Sequence, residues 1–406
     1  MCCFMSKEEK NQQITSYRWI VLGMFIIIAL MSQLLWLTFA PLTSEISQLY
    51  QVTAFDISLL SLVWPLVFVI TAIPVGIYID KKGFKKSVSI GAIFLAVFSI
   101  TRIFSVTFDH NFLLLLISQT GAAVSQPFIF GSITKLASSW FPEKEQGLAT
   151  GLGTIGLFLG MMLALALTPP LYLSFGLTKL LFIYAYLTCA AAFLFIVLAK
   201  EGTLVSTMDT SASFTLKDMW TLSKHRSFLI LEFGFFVAVG GFTALMTWLE
   251  QMLHSLHGIG IDEAGLLGGI MIIGGIIGSI VIPALSDKLK RLKPFIILDL
   301  LIGVVTLYLI GVISGFMLLA AIFFVMGFFL MSALPLVLEL STQFSDPGME
   351  GRASSLLWFF SQAGSVFLII IIEPIYALWG SYLYSIYIIV GLWIISVLSF
   401  ITIKER

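Results

Sequence analysis

The feature that most limits how this chain can fold is a series of apolar runs, each close to or longer than the ~18 to 20 residues that cross a bilayer. They recur along nearly the whole sequence, separated by short polar clusters. The spans read as 19–41, 56–79, 87–106, 111–136, 147–168 and 176–198, then 228–250, 264–285, 295–314, 317–340, 353–373 and 378–402. A soluble domain is about one-quarter charged, whereas 11% of these residues are charged and 59% are hydrophobic. The expectation is an all-α integral membrane protein with twelve transmembrane helices whose first partner is the lipid bilayer.

Charge placement tests that count. Twelve crossings sort the 22 Lys and Arg residues 20 to 2, with Arg102 and Lys179 alone on the minority side. Basic residues accumulate in short cytoplasmic loops, so the crowded side is cytoplasmic and both ends of this chain face it. Adding or removing one span would send every later cluster to the wrong side. The first apolar run is too long for a cleaved leader and lacks a small-residue cleavage site, so it is expected to stay as a span. The expected location is the plasma (cytoplasmic) membrane.

The longest polar connection divides six spans from six. Segments 1–18 and 404–406 are then cytoplasmic ends, 19–199 and 227–403 are six-helix bundles, and 200–226 is the linker. Leu216, Met219, Trp220 and Leu222 in that linker suit either a short surface helix or a partly ordered strap. The two bundles also align. Arg18 meets Arg226 at an offset of 208, Asp80 with its following lysines meets Asp287 with Lys288, Lys290, Arg291 and Lys293 at 207, and Pro142 with Glu145 meets Pro347 with Glu350 at 205. Glycines recur every four or five residues at Gly147, Gly151, Gly156 and Gly160 in the fifth span and at Gly265, Gly269, Gly274 and Gly278 in the eighth. Such faces let helix backbones touch, either as plain packing or as surfaces on which the fifth and eighth spans slide.

Other classes of function find no footing. His110, His225, His254 and His257 form no metal set, and Gly265-Leu266-Leu267-Gly268-Gly269 lacks the strand and lysine of a phosphate loop. No enzyme, cofactor or metal is expected. A formal net charge of zero without a basic stripe outside the loops argues against nucleic acid. Cys2, Cys3 and Cys189 make no disulfide framework. Cys2 and Cys3 are either palmitoylated or inert thiols ahead of a start at Met5.

The segment Gly76-Ile77-Tyr78-Ile79-Asp80-Lys81-Lys82-Gly83-Phe84-Lys85-Lys86 resembles the signature loop of the major facilitator superfamily, whose architecture is two parallel six-helix repeats. The resemblance implies that chain's fold of two pseudo-symmetric bundles, with Asp80 beside Arg352 at the start of the eleventh span, where a carboxylate favours the helix N-terminus. Asp287 would serve the fifth span in the same way. Lys81, Glu145 and Glu350 complete the expected cytoplasmic gate.

Within that superfamily the chain is most similar to the feline leukaemia virus subgroup C receptor family of haem and choline transporters. Arg18-Trp19 with Trp36 and Val52-Thr53-Ala54-Phe55 resembles that family's opening. Gln119 through Gln126 to Ser138-Ser139-Trp140-Phe141 resembles its fourth helix, Met326-Gly327-Phe328-Phe329 through Pro335 and Glu339 its tenth, and Ser361-Gln362 its eleventh. The resemblance implies a quaternary ammonium group enclosed by Trp36 and by an aromatic of the seventh span, with glutamines nearby, one of them Gln362. This sequence departs by carrying Thr243 for the seventh-span tyrosine and Phe158 for the fifth-span glutamine.

Solute sites of such carriers lie near the midplane between the halves. Gln119 and Gln126, two turns apart, share one helix face and point to a cavity or to structural partners, because an amide in hydrocarbon needs one. Trp36 suits a cavity wall or an interfacial belt. Trp248 and Trp358 read first as belt or packing residues. No span carries a charge clearly at its middle, so a permanent cation would rest on aromatic faces, and a strongly anionic solute is disfavoured because no buried Arg or Lys awaits it. Glu232, Glu250, Asp299 and Glu339 lie nearer span ends and suit interfacial or gating pairs, with Glu232 and Asp299 open to a coupling role.

The expectation is a monomeric secondary or facilitative transporter of a small organic solute, a choline-like cation or alternatively haem or another neutral amphipathic solute. Trp36, Gln119, Gln126, Thr243 and Gln362 are the expected solute contacts, and a coupling ion is an open partner. A receptor that binds without flux is the rival reading. Asp80→Asn should lower transport in proteoliposomes while leaving membrane insertion intact; normal transport by this variant would remove Asp80 from the gate.

Overall fold

The computed structural model describes residues 7–202, 223–344 and 350–403, with the side chains of 7–15, 143 and 350–352 outside the description. Cys2, Cys3 and linker residues 203–222 fall outside it as well. Among the described residues eleven helical stretches are long and apolar enough to cross a membrane, and one of them crosses twice. Glu143–Leu198 has 56 residues, about 84 Å if straight, against a hydrocarbon core of about 30 Å. It reverses at Gly176, whose φ of 73° and ψ of 169° are open to glycine and costly for other residues. Thr168 Oγ1 and Tyr184 Oη lie 2.8 Å apart, although sixteen residues of straight helix would hold them about 24 Å apart. The fifth and sixth spans are therefore a hairpin, and the crossings number twelve, as the charges require.

The fourth span is one run in sequence and three pieces in space: Phe112–Ala123, Ser125–Phe130 and Ile133–Trp140. Pro127 explains the first break. It has no N–H to give to Ala123 and its ring crowds that carbonyl, and the upper piece ends at Ala123. Gln126 is thereby placed on a short middle segment of its own. The signature loop is equally tight. Ala54–Lys82 and Phe84–Thr107 are separated by Gly83 alone, at φ 82°. The exposed N-terminal amides of the third span are taken by a carboxylate from the linker's start, with Phe84 N and Lys85 N each 3.0 Å from Glu201.

Packing follows the internal repeat. The first span lies on the fifth as the seventh lies on the eleventh; the second meets the eleventh across the halves as the eighth meets the fifth. Glycines make these approaches possible. A Cβ on Gly156 would sit 3.1 Å from Ile26 Cα, and one on Gly240 would sit 2.6 Å from the carbonyl carbon of Gly364. Gly364 stands 208 residues after Gly156 and faces Phe236 as Gly156 faces Ile26.

The two glycine series do not meet each other. In the fifth span Gly156 and Gly160 pack on the first span, inside their own half, while Gly147 and Gly151 face open space. In the eighth, Gly265 and Gly269 face Leu165 and Ala166 of the fifth span, and Gly274 and Gly278 face the tenth. Contact between halves is thus made by eighth-span glycines against fifth-span residues of ordinary size.

Gly240→Ala should cost about 1–3 kcal/mol through overpacking of a backbone contact, read as a lower melting temperature in detergent. Gly391→Ala, with nothing near its added Cβ, should leave that temperature unchanged or raise it.

Candidate functional site

The site begins where the first span stops. Lys7–Leu37 ends inside the protein, and the last carbonyls of any helix lack partners within it. Here side chains supply them. Thr38 Oγ1 donates to Leu34 O at 2.8 Å, and Gln119 Nε2 donates to Leu35 O at 3.0 Å and Trp36 O at 3.4 Å. Arg102 reaches Leu35 O at 3.5 Å and stacks 4.9 Å above the Phe39 ring. A cation at a helix C-terminus is also favoured by the dipole. Trp36 is fixed by its own Nε1, which donates to Ser61 O at 3.0 Å.

Two expectations are revised by this cluster. Gln119 belongs to the support of the first span and is absent from the cavity wall, so its shared face with Gln126 is divided between two tasks. Arg102 is 1% exposed, a buried cation where none was expected. It lies away from the solute cavity, committed to the end of a helix.

Between the halves lies a cavity lined by residues of both bundles. Trp36, Gln126, Thr243 and Gln362 all line it, and so does Phe158. Phe130, Phe242 and Trp358 add aromatic surface from both halves, and Gln33 adds a third amide. Trp358 meets Phe130 of the other half edge-on, with centroids 6.0 Å apart. Gln362, four residues on and on the same helix face, lines the cavity with it, so the belt or packing reading of Trp358 yields to a wall position. Trp248 does pack, fully buried with Nε1 donating to Ile369 O at 3.2 Å. Among the described residues no charged side chain lines the cavity. Gln126 Oε1 and Gln33 Nε2 are buried without a protein partner, and the Thr243 hydroxyl hydrogen is spent on Val239 O at 2.9 Å, leaving its oxygen as an acceptor.

A comparison with known families matches the Major Facilitator Superfamily over residues 24–369. The chain belongs to the Major Facilitator Superfamily. It is 25% identical to the choline/ethanolamine transporter flvcr2a of Danio rerio over 399 residues, which is 92% of this chain and 84% of that one. It is 38% identical to an uncharacterised protein of Archaeoglobus fulgidus over 226 residues, 56% of this chain and all of that one. A bacterial homologue of the human lysosomal transporter Spinster, solved inward-facing and unoccupied, shares the fold with a TM-score of 0.74 at 14% identity, covering 95% of this chain and 96% of the other. The resemblance to the feline leukaemia virus subgroup C receptor family is thereby supported. The chain is a transmembrane transporter of the superfamily and no enzyme.

The end of the bundle opposite the signature loop, outer by the charge placement, is closed by contacts between halves. After the first span, the turn Ala40–Leu42 and helix Thr43–Tyr50 reach the seventh and eighth spans. Glu250, 1% exposed on the seventh span, takes Ser44 N at 3.1 Å and Ser44 Oγ at 2.7 Å. Gln251 Nε2 donates to the same hydroxyl at 2.7 Å. A carboxylate from one half thus caps a helix of the other.

The expected cytoplasmic gate is only partly in view. Glu145 pairs with Arg18 at 2.8 Å, within its own half, and Arg18 also stacks on Phe141. Lys81 is exposed at the end of the second span. Asp287 lines a polar hollow with Lys290, Arg291 and Glu339, all in the C-terminal half. The side chains of Glu350 and Arg352, and with them the pairing of Asp80 to Arg352, lie outside the described residues. Of the two carboxyls open to coupling, Glu232 accepts from Ser223 Oγ at 2.6 Å and Asp299 is joined to Ser332 at 3.0 Å. Neither lines the cavity.

Hydrogen bonds to a charged group contribute about 1.5–3 kcal/mol. Glu250→Gln should therefore shift the balance toward an open outer side by roughly 10- to 100-fold. Distances between spin labels on the outer ends of the first and seventh spans would report it; an unchanged distribution would count against the latch.

Proposed function

We propose that the chain carries a choline-like organic cation across the membrane by alternating access. One observation carries this reading: a cavity shared by both halves is walled with aromatic rings, offers unpaired amide groups and holds no fixed charge. A quaternary ammonium ion needs no counter-ion when ring faces receive it, each contact contributing ~0.5 to 2 kcal/mol. Trp36 and Trp358 supply faces from opposite halves, and Gln126 and Gln362 supply amides. Thr243 supplies an acceptor oxygen to the polar end of the solute. Gln119 serves the site by holding the carbonyl end from which Trp36 projects. The choline/ethanolamine transporter named among the relatives supports this solute class.

The gate is proposed at the cytoplasmic end, where Asp80 and Asp287 bind the starts of the eleventh and fifth spans, and Lys81, Glu145, Glu350 and Arg352 rearrange between states. The chain works as a monomer in the plasma membrane with both ends of this sequence cytoplasmic, and needs no nucleic acid. A specific observation favours a second solute class. Phe158 stands where the resemblance implies a glutamine and makes the wall more apolar, which suits haem or another neutral amphipathic solute.

The test is counterflow of labelled choline in proteoliposomes, which requires no knowledge of the driving ion. Uptake is expected, with the half-saturating concentration raised roughly 2- to 30-fold in Trp36→Ala by loss of one cation–π contact. Binding without flux would favour a receptor. No uptake at all would transfer the site to the amphipathic class.

A further inference from the structure

The ninth span carries a carboxyl that the cavity does not use. Asp299 is wholly buried, and Ser332 of the tenth span is its hydrogen-bonding partner. Its second oxygen, Oδ1, is buried with no hydrogen-bonding partner among the described residues. The neighbours of this pair do face the cavity: Leu300 follows Asp299, and Met331 and Ala333 flank Ser332. The pair therefore lies directly behind the cavity wall.

The position of one hydrogen atom decides the state of this carboxyl. Ser332 Oγ lies 2.6 Å from Phe329 O and 3.0 Å from Asp299 Oδ2. A hydroxyl has one hydrogen to give, and the backbone carbonyl, at the shorter distance, can only accept. The contact with Asp299 then joins two oxygens with no hydrogen between them unless the carboxyl brings its own. A neutral carboxyl satisfies both contacts. It also accounts for Oδ1, since a lone carboxylate oxygen in a membrane interior without a donor is far costlier than a lone carbonyl oxygen.

Among the described residues no fixed charge is paired with this carboxyl. The ninth span packs on the tenth and the twelfth. On its own helix the titratable groups are Lys293 and Tyr308, about 9 and 13 Å away along the axis; Lys293 Nζ is bound to Ile401 O and Ile403 O. The tenth offers Glu339, about 10 Å beyond Ser332, and the twelfth offers Tyr382, Tyr384 and Tyr387. Among the described residues no ion pair involves Asp299.

We propose that Asp299 is a proton-binding site, neutral in this outer-closed state, whose proton is released and rebound as the transporter cycles. On release the carboxyl O–H bond breaks and the proton passes to water entering past Leu300. The Ser332 hydroxyl then turns from Phe329 O to donate to the carboxylate. The link to transport rests on the solute reading above; the protonation itself does not.

Two measurements on the full chain in liposomes separate these. Infrared spectra at neutral pH should contain a protonated-carboxyl carbonyl band that Asp299→Asn removes and Ser332→Ala shifts, the second variant reading the same band if the first folds poorly. A band indifferent to both substitutions overturns the proposal. In labelled-choline assays, Asp299→Asn fixes the side chain in a neutral form, so counterflow should persist while acceleration by an imposed pH gradient is lost. Retained acceleration also overturns the proposal. Failure of counterflow in the unsubstituted chain strikes the choline reading instead, and the infrared band then decides Asp299 alone.

Discussion

Hydrocarbon tolerates no unpaired backbone carbonyl, and the architecture of the cavity is arranged around one place where a helix stops inside it. The first span ends at Leu37 rather than at a water-filled loop, so its last carbonyls must be met by Thr38, Gln119 and Arg102. Those donors come from the first, fourth and third spans and draw three helices onto one point. Trp36 sits on that point, tied by its indole N–H to the second span. Its place on the cavity wall is thus a by-product of satisfying backbone groups several ångströms away.

The same economy explains which parts of the structure were open to reading from sequence. The crossings were legible because lipid and membrane charge asymmetry act on every segment alike, so the sorting of Lys and Arg corrected any single misjudged span. The reversal at Gly176 was legible as well, since the charges demand one there. Side-chain duties were less legible. Gln119 and Gln126 have the same chemistry and share a helix face at a seven-residue spacing, and only the break forced by Pro127 separates their tasks. Arg102 was read only as a minority-side charge near the end of the third span, yet a helix terminus with free carbonyls draws it inward. Trp358 did have a signal in Gln362, one helical turn on and on the same face, which the belt or packing reading passed over. The fourth-span break did have a signal in Pro127, which a reading by hydropathy alone passes over.

The outer closure adds a polar tie between the halves to their apolar packing. Glu250 treats the helix Thr43–Tyr50 as an internal partner, filling the N-terminal amide and hydroxyl of Ser44 as a residue preceding that helix would. Because donor and acceptor belong to different halves, the bond lasts only as long as the outer side is shut. Deeper in, the approach of eighth-span glycines to Leu165 and Ala166 supplies close contact without directional bonds, a surface along which rotation disturbs few hydrogen bonds.

The uncharged cavity wall has an electrical consequence. An empty carrier whose wall holds no fixed charge, and whose Asp299 is neutral, presents no cavity charge to the field when it reorients, so the membrane voltage does no work there on its return. A cation aboard feels the field at about 2.3 kcal/mol per 100 mV, roughly a 50-fold bias in the distribution of loaded forms. A solute without charge would feel none of it. For a wall of this kind, voltage acts as a filter that distinguishes passengers by their own charge, independent of how tightly the rings and amides grip them.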